Sequence, residues 1–256
     1  MLSARNREIL EEAYLRFHNA DFIQDDPLQV PHHFSKKQDI EIMAFFAATL
    51  AWGQRKTIIK NCWNLVEIFE NEPHNFIVNH QEEDLKKCLK FKHRTFNPSD
   101  LLYFISFLKQ HYEKNESLES AFSMHLKEKE ETVQNALIGF HNYFCSLDYF
   151  PSRTRKHIAS PARNSACKRL NMFLRWMVRK DEKNIDFGIW KDIQTWQLLC
   201  PLDVHVERQA RILGLIQRPQ RDFKTVLELS KALKTLDPID PVKYDFALFG
   251  LGIHAF

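Results

Sequence analysis

The sequence predicts an all-α fold, and three observations lead to that prediction. Apolar residues recur at helical spacing in most segments of the 256-residue chain. No segment shows the sustained apolar and polar alternation that indicates a half-buried strand. No internal repeat or low-complexity linker interrupts the chain. The length fits one large domain or two small ones and supplies ample chain for a buried core.

The first half of the chain predicts a helical block preceded by a docking helix over residues 1 to about 20. The segment Asp39–Trp52 is apolar on nearly every face, as expected of a central helix surrounded by others, and it ends at Gly53–Gln54. Prolines between these two helices indicate a loop. Further helices are predicted over Arg55–Phe69, Leu101–Tyr112 with Asn97 or Ser99 as its N-cap, Glu116–Lys129 and Glu131–Leu147.

The second half centres on a turn, Ser160–Ser165, and on the helices that follow it. From about Ser165 to Lys180 an apolar stripe at i, i+3, i+4 and i+7 predicts a helix. The stripe consists of Leu170, Phe173, Leu174 and Met177. A further helix is predicted to start at Asp203. The remaining segments are Asp186–Trp196, a short helix or loop, Asp222–Leu236, an amphipathic helix, and a last helix with Asp240 as its N-cap before Pro241.

Charge and cysteine content narrow the possible functions. Lys and Arg number 36 against 33 Asp and Glu, which is weak evidence for a nucleic-acid partner. Basic residues crowd the segment around the turn, and such a stripe suits a phosphate backbone, although solvated surfaces also carry such clusters. The 5 cysteines form no C-x-x-C pair, and His32 and His33 lack a carboxylate or cysteine at ligand spacing, so we predict no metal and no cofactor. The basic stripe comprises Arg153, Arg155, Lys156, Arg163, Lys168, Arg169, Arg175, Arg179 and Lys180.

The N-terminus and the hydropathy predict a cytoplasmic protein. Charged residues precede any long apolar run, which argues against a signal peptide. No apolar stretch approaches membrane-spanning length, and reduced thiols are the default state of scattered cysteines. We therefore expect no membrane partner.

Lys168 lies in the first turn of the predicted helix after the turn Ser160–Ser165. The helix macrodipole disfavours an ammonium group there and leaves a neutral amine unaffected. Burial beside the apolar stripe acts in the same direction and favours a nucleophilic amine. The alternative is that Lys168 lies on the solvated face or contacts a phosphate, which is the commoner situation for a helical lysine.

Asp203 is predicted to be an N-cap, because Pro201-Leu-Asp203 is followed by apolar residues at helical spacing. Its side chain can accept a hydrogen bond from an N–H group of the first turn. This capping role alone explains the residue. The combination of Lys168 with Asp203 is what points to chemistry.

These motifs resemble those of the helix-hairpin-helix DNA glycosylases, the endonuclease III superfamily. Pro201-Leu-Asp-Val-His-Val-Glu-Arg208 and Leu213-Gly-Leu215 are similar to the family segment V-D-T-H-V-x-R…R-L-G-L. Cys167-Lys-Arg-Leu-Asn-Met-Phe173 matches the position of the family's nucleophilic lysine, with a spacing that resembles the archaeal 8-oxoguanine glycosylase branch. Ala166–Lys180 and Pro241–Ile253 also resemble a bacterial family assigned to this superfamily.

The resemblance implies a monomeric repair enzyme that binds double-stranded DNA containing a damaged base, with two helical subdomains that flank a DNA-binding cleft. They would span roughly residues 36–150, and 151–256 with the helix 1–20 packed on it. The enzyme would be a bifunctional glycosylase and lyase that excises an oxidised purine, 8-oxoguanine above all, through a Schiff base on Lys168, assisted by Asp203. No iron–sulfur cluster is expected, because the C-terminal segment lacks cysteines.

The same resemblance implies a set of DNA contacts. The usual family hairpin is Leu-Pro-Gly-Val-Gly, whereas this turn lacks glycine, and Asn164 is the residue that tolerates a left-handed backbone there. An aromatic residue at Met172 would stack more strongly on a base. Residues implied around the base are Gln54, Met172, Trp176, Asp245 and Phe249, and those implied at the DNA backbone are Ser160, Arg163, Asn164, Ser165, Arg169, His205 and Arg208.

Several alternatives stay open at the level of sequence. Gln54 fits a plain helix-terminating corner, Asp245 fits an ion pair with a neighbouring basic residue, and His205 and Arg208 fit support for Asp203. The chain as a whole also fits a non-catalytic DNA-binding protein of the same fold. An unrelated helical enzyme or an interaction scaffold is the third possibility.

Overall fold

A computed structural model describes residues 3–253, except for the side chain of Phe22. Within that range the chain is helical and has no β-strand, so the all-α prediction is confirmed. Isolated β-bridges pair His93 with Phe96 and Lys180 with Phe187. The α-helices are α1 (Ala4–Phe17), α2 (Lys37–Leu50), α3 (Arg55–Ile68), α4 (Pro73–Asn79), α5 (Glu82–Leu85), α6 (Pro98–Tyr112), α7 (Ser120–Ser123), α8 (Gln134–Phe144), α9 (Lys168–Val178), α10 (Val204–Ile212), α11 (Phe223–Lys234) and α12 (Tyr244–Ile253).

The chain divides into two compact units. We call Ile23–His125 with Gly139–Ala159 the aromatic unit, and Met1–Phe22, Leu126–Ile138 and Ser160–Phe256 the hairpin unit. The sequence-based division placed residues 126–138 with the first subdomain. In the structure they belong to the hairpin unit, where hydrogen bonds join Val133 N–H to the Gln197 carbonyl, and the Gln197 side-chain amide to the Glu130 carbonyl.

The core of the aromatic unit forms around α2, which is buried from residue 39 to residue 50 as predicted for a central helix. The Phe45 ring lies 5.4 Å from that of Phe104 and 5.7 Å from that of Phe140. Glu41 is fully buried on the same helix. Its carboxylate accepts hydrogen bonds from the Tyr112 hydroxyl at 2.9 Å and the Leu118 N–H at 3.0 Å. These bonds offset the desolvation of the charge.

The predicted helix Glu116–Lys129 is wrong, because only Ser120–Ser123 of that segment is α-helical. Polar side chains compete there with the helical hydrogen bonds. Ser117 donates its hydroxyl to Glu41 at 2.5 Å, and the Ser120 hydroxyl donates to the Ser117 carbonyl at 2.9 Å. The next predicted helix, Glu131–Leu147, is confirmed in shorter form as α8.

The carboxylate of Asp100, fully buried in the first turn of α6, anchors a polar cluster in the aromatic unit. It accepts hydrogen bonds from the Thr154 hydroxyl at 2.7 Å and the Asn97 N–H at 2.9 Å, and it forms an ion pair with Arg153. Burial by itself would raise the pKa of Asp100. The interaction with His157, whose Nε2 lies 3.3 Å from Asp100 Oδ2, and the hydrogen bonds outweigh burial and hold the pKa well below its usual value.

The variant Asp100→Asn should lower the free energy of unfolding at pH 7 by on the order of 2 kcal/mol, because a charged hydrogen-bond acceptor is lost. The folded-state pKa of Asp100 is depressed, so its contribution is fully present above the unfolded pKa of about 3.9 and is lost as the pH falls below it. The difference between variant and parent should therefore shrink on acidification. Urea unfolding at pH 7 and pH 3.5 measures it, with exposed Asp148→Asn as control. If the difference in unfolding free energy between parent and Asp100→Asn is the same at both pH values, the Asp100 pKa is not depressed in the folded state.

The hairpin unit is built on α12, which packs against α1 on one side and α10 on another. Glycines of α12 at these two contacts allow the neighbouring helices to pack closely against it. A Cβ atom on Gly250 would lie 2.2 Å from the Phe17 ring of α1, and one on Gly252 would lie 3.0 Å from the His205 carbonyl oxygen of α10. The position of α10, and with it that of its N-cap Asp203, therefore depends on Gly252.

Candidate active site

Lys168 and Asp203 lie in contact at the beginnings of two helices of the hairpin unit. The Lys168 Nζ is 3.4 Å from the Asp203 Oδ2, and the two side chains are 34% and 15% exposed. Lys168 is the first residue of α9, and Asp203 is the N-cap of α10. The pair is therefore accessible to a ligand and yet held by the backbone of both helices.

The two oxygens of Asp203 have separate tasks. Oδ1 accepts hydrogen bonds from the backbone N–H groups of His205 and Val206, each at 2.9 Å, which confirms the predicted N-cap. Oδ2 is thereby directed towards Lys168. Capping thus fixes the Asp203 carboxylate, and the Lys168 side chain reaches it from the first residue of α9.

The helix α9 starts at Lys168, three residues later than predicted, because Cys167 adopts a left-handed backbone with φ of 50°. The Cys167 N–H donates to the Ser165 Oγ at 3.3 Å, and the buried Cys167 thiol donates to the Ser165 carbonyl at 3.2 Å. These local bonds fix Lys168 as the first helical residue.

The hairpin, Ser160–Ser165, makes its tight turn without glycine because Asn164 has φ of 55°, as predicted from the residue type. All four backbone N–H groups of residues 162–165 donate to oxygens inside the hairpin. The acceptors are the hydroxyl and carbonyl oxygens of Ser160 and the carbonyl of Pro161. Because these N–H groups are bonded within the turn, a phosphate would have to bind to the exposed side chains of the hairpin. Arg163 is the cationic side chain among them.

Asp222, which sequence analysis did not select, connects the hairpin to α11. Its carboxylate accepts a hydrogen bond from the Asn164 side chain at 3.1 Å, and the Phe223 N–H donates to the Asn164 carbonyl at 3.2 Å. Desolvation acts to raise the pKa of Asp222, but hydrogen bonds from the Thr225 N–H and from Asn164 outweigh it and lower the pKa to about 2. An aspartate before an amphipathic helix predicts an N-cap, but the sequence does not predict its contact with Asn164 of the hairpin.

A buried group of charges, which we call the ionic cluster, lies along α9 beyond Lys168. Arg175 forms ion pairs with Asp245 and with Asp186, the latter at 3.3 Å. The Phe246 ring lies 4.3 Å from the Arg175 guanidinium carbon. Arg179 binds Asp181 and Asp186 at 3.1 Å, Asp240 at 2.8 Å and the Tyr14 hydroxyl at 3.0 Å.

The ionic cluster corrects the predicted role of Arg175 and Arg179. The sequence grouped both with the phosphate-binding stripe, but they are 5% and 2% exposed and their guanidinium groups are paired with aspartates. Asp240 is the N-cap residue of the terminal helical segment, as predicted. Its side chain makes no capping bond, however, and instead accepts a hydrogen bond from Arg179.

Asp245 belongs to the ionic cluster rather than to a base-contacting surface. Its residue is 7% exposed and its carboxylate is paired with Arg175, which contradicts the predicted base contact and matches the ion-pair alternative. Burial raises the pKa of Asp245 to about 6, although Arg175 acts in the opposite direction, and the neighbouring Asp203 adds to the increase. Electrostatic interactions with Asp203 and Lys168 connect the ionic cluster to the candidate site.

Among the other residues predicted around the base, Trp176 is wrongly assigned, because it is 2% exposed and belongs to the core. Met172 and Phe249 of the hairpin unit are partly exposed. The Phe249 ring lies 5.9 Å from the His205 ring in an edge arrangement. Gln54 is exposed in the aromatic unit, at the N-cap of α3, where its side chain makes no capping bond.

Several residues predicted at the DNA backbone serve internal structure. Ser160 is buried and its hydroxyl accepts the Ala162 N–H, so its side chain is not offered to a phosphate. His205 contacts the Gly252 carbonyl at 3.3 Å, and Arg208 donates to the same carbonyl, so both join α10 to the end of α12. Both side chains thus support the packing of α10 on α12, whereas their support of Asp203 stays a prediction. Ser165 and Arg169 are partly exposed, whereas Arg163 and Asn164 are exposed.

A family model described as "Protein of unknown function (DUF2400)" matches residues 26–254, which is most of the chain. The chain belongs to this family. The DUF2400 match includes Lys168, Asp203 and the hairpin, and it leaves α1 outside. No curated protein and no solved structure matches the chain.

In this DUF2400 member, residues 3–253 contain no group of three or more histidine, cysteine, aspartate or glutamate side chains placed to hold a metal ion. None of the helices in the same range has both the length and the apolar content needed to cross a bilayer.

Proposed function

We propose that this protein is a bifunctional DNA glycosylase and lyase of the helix-hairpin-helix kind, with an oxidised purine, foremost 8-oxoguanine, as its target. The observation that carries the proposal is the 3.4 Å contact between Lys168 Nζ and Asp203 Oδ2 at a partly exposed position. An amine and a carboxylate in this arrangement provide the nucleophile and the anion that such a reaction requires.

Asp203 acts first in the proposed reaction. As the N-glycosidic bond breaks, its electron pair leaves with the base, which takes up a proton, and positive charge develops on the sugar ring. The Asp203 carboxylate stabilises that charge, because a fixed anion in a partly desolvated site interacts strongly with a developing cation. Its N-cap hydrogen bonds hold it in place, so little reorganisation is needed.

Lys168 then acts as the nucleophile. Its neutral amine forms a bond to C1′ and gives up one proton. The C1′–O4′ bond then breaks, O4′ takes up a proton, and the nitrogen, which keeps its second proton, forms the iminium ion with C1′. The iminium withdraws electrons from C2′, so loss of a proton there forms a C2′–C3′ double bond and expels the 3′ phosphate. Lys168 is the first residue of α9, and its Nζ lies beside the Asp203 carboxylate, which can accept the proton that an ammonium group must lose before it attacks.

The target base must leave the duplex before Lys168 can reach C1′, so the proposal includes base flipping. Met172 and Phe249 are the predicted base-contacting residues of the hairpin unit whose side chains are partly exposed. Arg163 is exposed on the hairpin and supplies a cation for the DNA backbone. Gln54 is the exposed candidate in the aromatic unit.

Borohydride trapping tests the proposal directly. The parent protein should form a covalent adduct with duplex oligonucleotides that carry 8-oxoguanine or an abasic site, because borohydride reduces the iminium to a stable amine. A duplex with uracil reports on lesion range. Lys168→Ala should abolish the adduct, whereas Lys231→Ala, which removes an exposed lysine of α11 in the same unit, should leave it unchanged.

Two results would contradict the proposal. If the parent forms no adduct with any of these duplexes but binds them, the chain is a non-catalytic DNA-binding protein. If Lys168→Ala traps as well as the parent, another amine is the nucleophile and Lys168 is misassigned.

A further inference from the structure

An arginine of the aromatic unit is held rigidly at the surface where α2 ends and α3 begins. The guanidinium carbon of Arg94 lies 4.8 Å from the centre of the Trp52 ring. Arg94 also packs on Gly53, whose φ of 110° suits glycine, and a Cβ atom there would lie 2.8 Å from Arg94 Nη1. The guanidinium is therefore confined between an indole ring and the backbone.

The turn that carries Arg94 is itself anchored. The backbones of His93 and Phe96 exchange two hydrogen bonds of 2.9 Å, and Arg94 between them has φ of 55°. The Thr95 carbonyl accepts a hydrogen bond from Arg153 at 2.9 Å. Arg153 is in turn paired with buried Asp100.

His93 joins this turn to the end of α2. Its Nε2 lies 3.2 Å from the Trp52 carbonyl, and its Nδ1 lies 2.8 Å from the Asn61 side-chain amide. Burial lowers the pKa of His93, which favours the neutral ring that donates through Nε2 and accepts at Nδ1. These contacts of His93 fix the turn that carries Arg94 relative to Trp52, whose ring Arg94 contacts.

The surroundings of Arg94 are cationic. Arg55 and Lys56 stand in the first turn of α3, two and three residues after Gly53, and Lys92 precedes the turn. All four cationic side chains are exposed, and no carboxylate among residues 3–253 forms an ion pair with any of them. We call these four side chains, Arg55, Lys56, Lys92 and Arg94, the basic corner.

We propose that the basic corner binds phosphate groups of the DNA backbone, with Arg94 as its fixed donor. The identity of the partner as DNA rests on the proposed function. A guanidinium presents parallel N–H donors that match phosphate oxygens, and one that is already immobilised loses little conformational entropy on binding.

Electrostatics favour the same ligand. Cations near one another repel, and the dipole of α3 disfavours Arg55 and Lys56 in its first turn. A phosphate relieves both effects, whereas an apolar or cationic partner relieves neither. The basic corner thus gives the aromatic unit a contact with DNA that does not depend on Lys168 or on a damaged base.

The test measures binding of undamaged duplex DNA by the full chain over a series of salt concentrations. Arg94→Ala and the double variant Arg55→Ala/Lys56→Ala are compared with Lys90→Ala, an exposed lysine of the same unit. Removal of one cation that binds a phosphate should reduce the slope of log affinity against log salt by about 1, so we expect roughly 5- to 10-fold weaker binding for Arg94→Ala at moderate salt. Arg94→Lys, which keeps the charge and removes the planar donor, should fall between parent and Arg94→Ala. Equal thermal midpoints show that the variants are folded.

The outcomes separate this inference from the proposed function. If Arg94→Ala binds like Lys90→Ala, or binds more weakly with an unchanged salt slope, the basic corner does not contact phosphates, even where Lys168-dependent trapping succeeds. If the basic-corner variants bind DNA more weakly and with a smaller salt slope while the parent forms no trapped adduct, the basic corner is supported and the glycosylase proposal is contradicted. A parent that binds no duplex overturns both.

Discussion

Asp203→Asn should lower the rate of base excision by about 100- to 1,000-fold, the range found when one electrostatic contact to a transition state is removed. The amide oxygen of asparagine still caps α10, since asparagine and aspartate are comparable N-caps, so the slower rate reports the missing charge and not a disrupted helix start. Single-turnover excision from a lesion duplex measures the effect. At a preformed abasic site, where no glycosidic bond remains to be cleaved, the Lys168 adduct should persist.

The control for this prediction is Asp26→Asn, which makes the same change at an N-cap of the aromatic unit. It should leave the excision rate unchanged. If Asp203→Asn excises the base as fast as this control, Asp203 is a helix cap without a chemical role.

Arg175→Leu should lower the free energy of unfolding by about 3–5 kcal/mol, because removal of one partner leaves a buried charge uncompensated. Asp245 loses its ion-pair partner and Asp186 loses one of two. Urea unfolding followed by tryptophan fluorescence measures the change. Arg163→Leu, at an exposed arginine of the same unit, should change the stability by no more than about 0.5 kcal/mol.

The pH dependence distinguishes a missing charge from a change of shape. The folded-state pKa of Asp245 is raised to about 6, so stabilisation from its proton is fully present below the unfolded pKa and is lost as the pH rises through about 6. In Arg175→Leu the carboxyl group of Asp245, which has lost its partner, can be protonated as the pH falls. The deficit relative to the parent should therefore be smaller at pH 5 than at pH 7, whereas a packing defect would give the same deficit at both.

The local sequence was sufficient to predict the roles of residues whose partners lie within a few positions along the chain. Asp203 was predictable because an N-cap bonds to residues two and three positions later. The left-handed backbone of Asn164 followed from its residue type. Lys168 was placed in a first turn because an apolar stripe follows it, although the left-handed Cys167 that fixes the helix start has no sequence signal.

Partners from distant segments were not predictable. Arg175 and Arg179 look like members of a basic surface stripe until Asp186 and Asp240 are brought to them by the fold. The failure of the predicted helix 116–129 has the same origin, because Ser117 satisfies the buried Glu41 of a helix far away in sequence. Burial of Trp176 rather than of Met172 likewise depends on the helices packed around α9.

The left-handed backbone of Cys167 makes Lys168 the first residue of α9. If Cys167 relaxed from its φ of 50° into the right-handed region, α9 would gain a residue, and its first N–H groups would shift by one position relative to the Lys168 side chain. An L-residue in the left-handed region costs about 1–2 kcal/mol. The place of Lys168 at the very start of α9 thus depends on a conformation that the chain maintains against its own local preference.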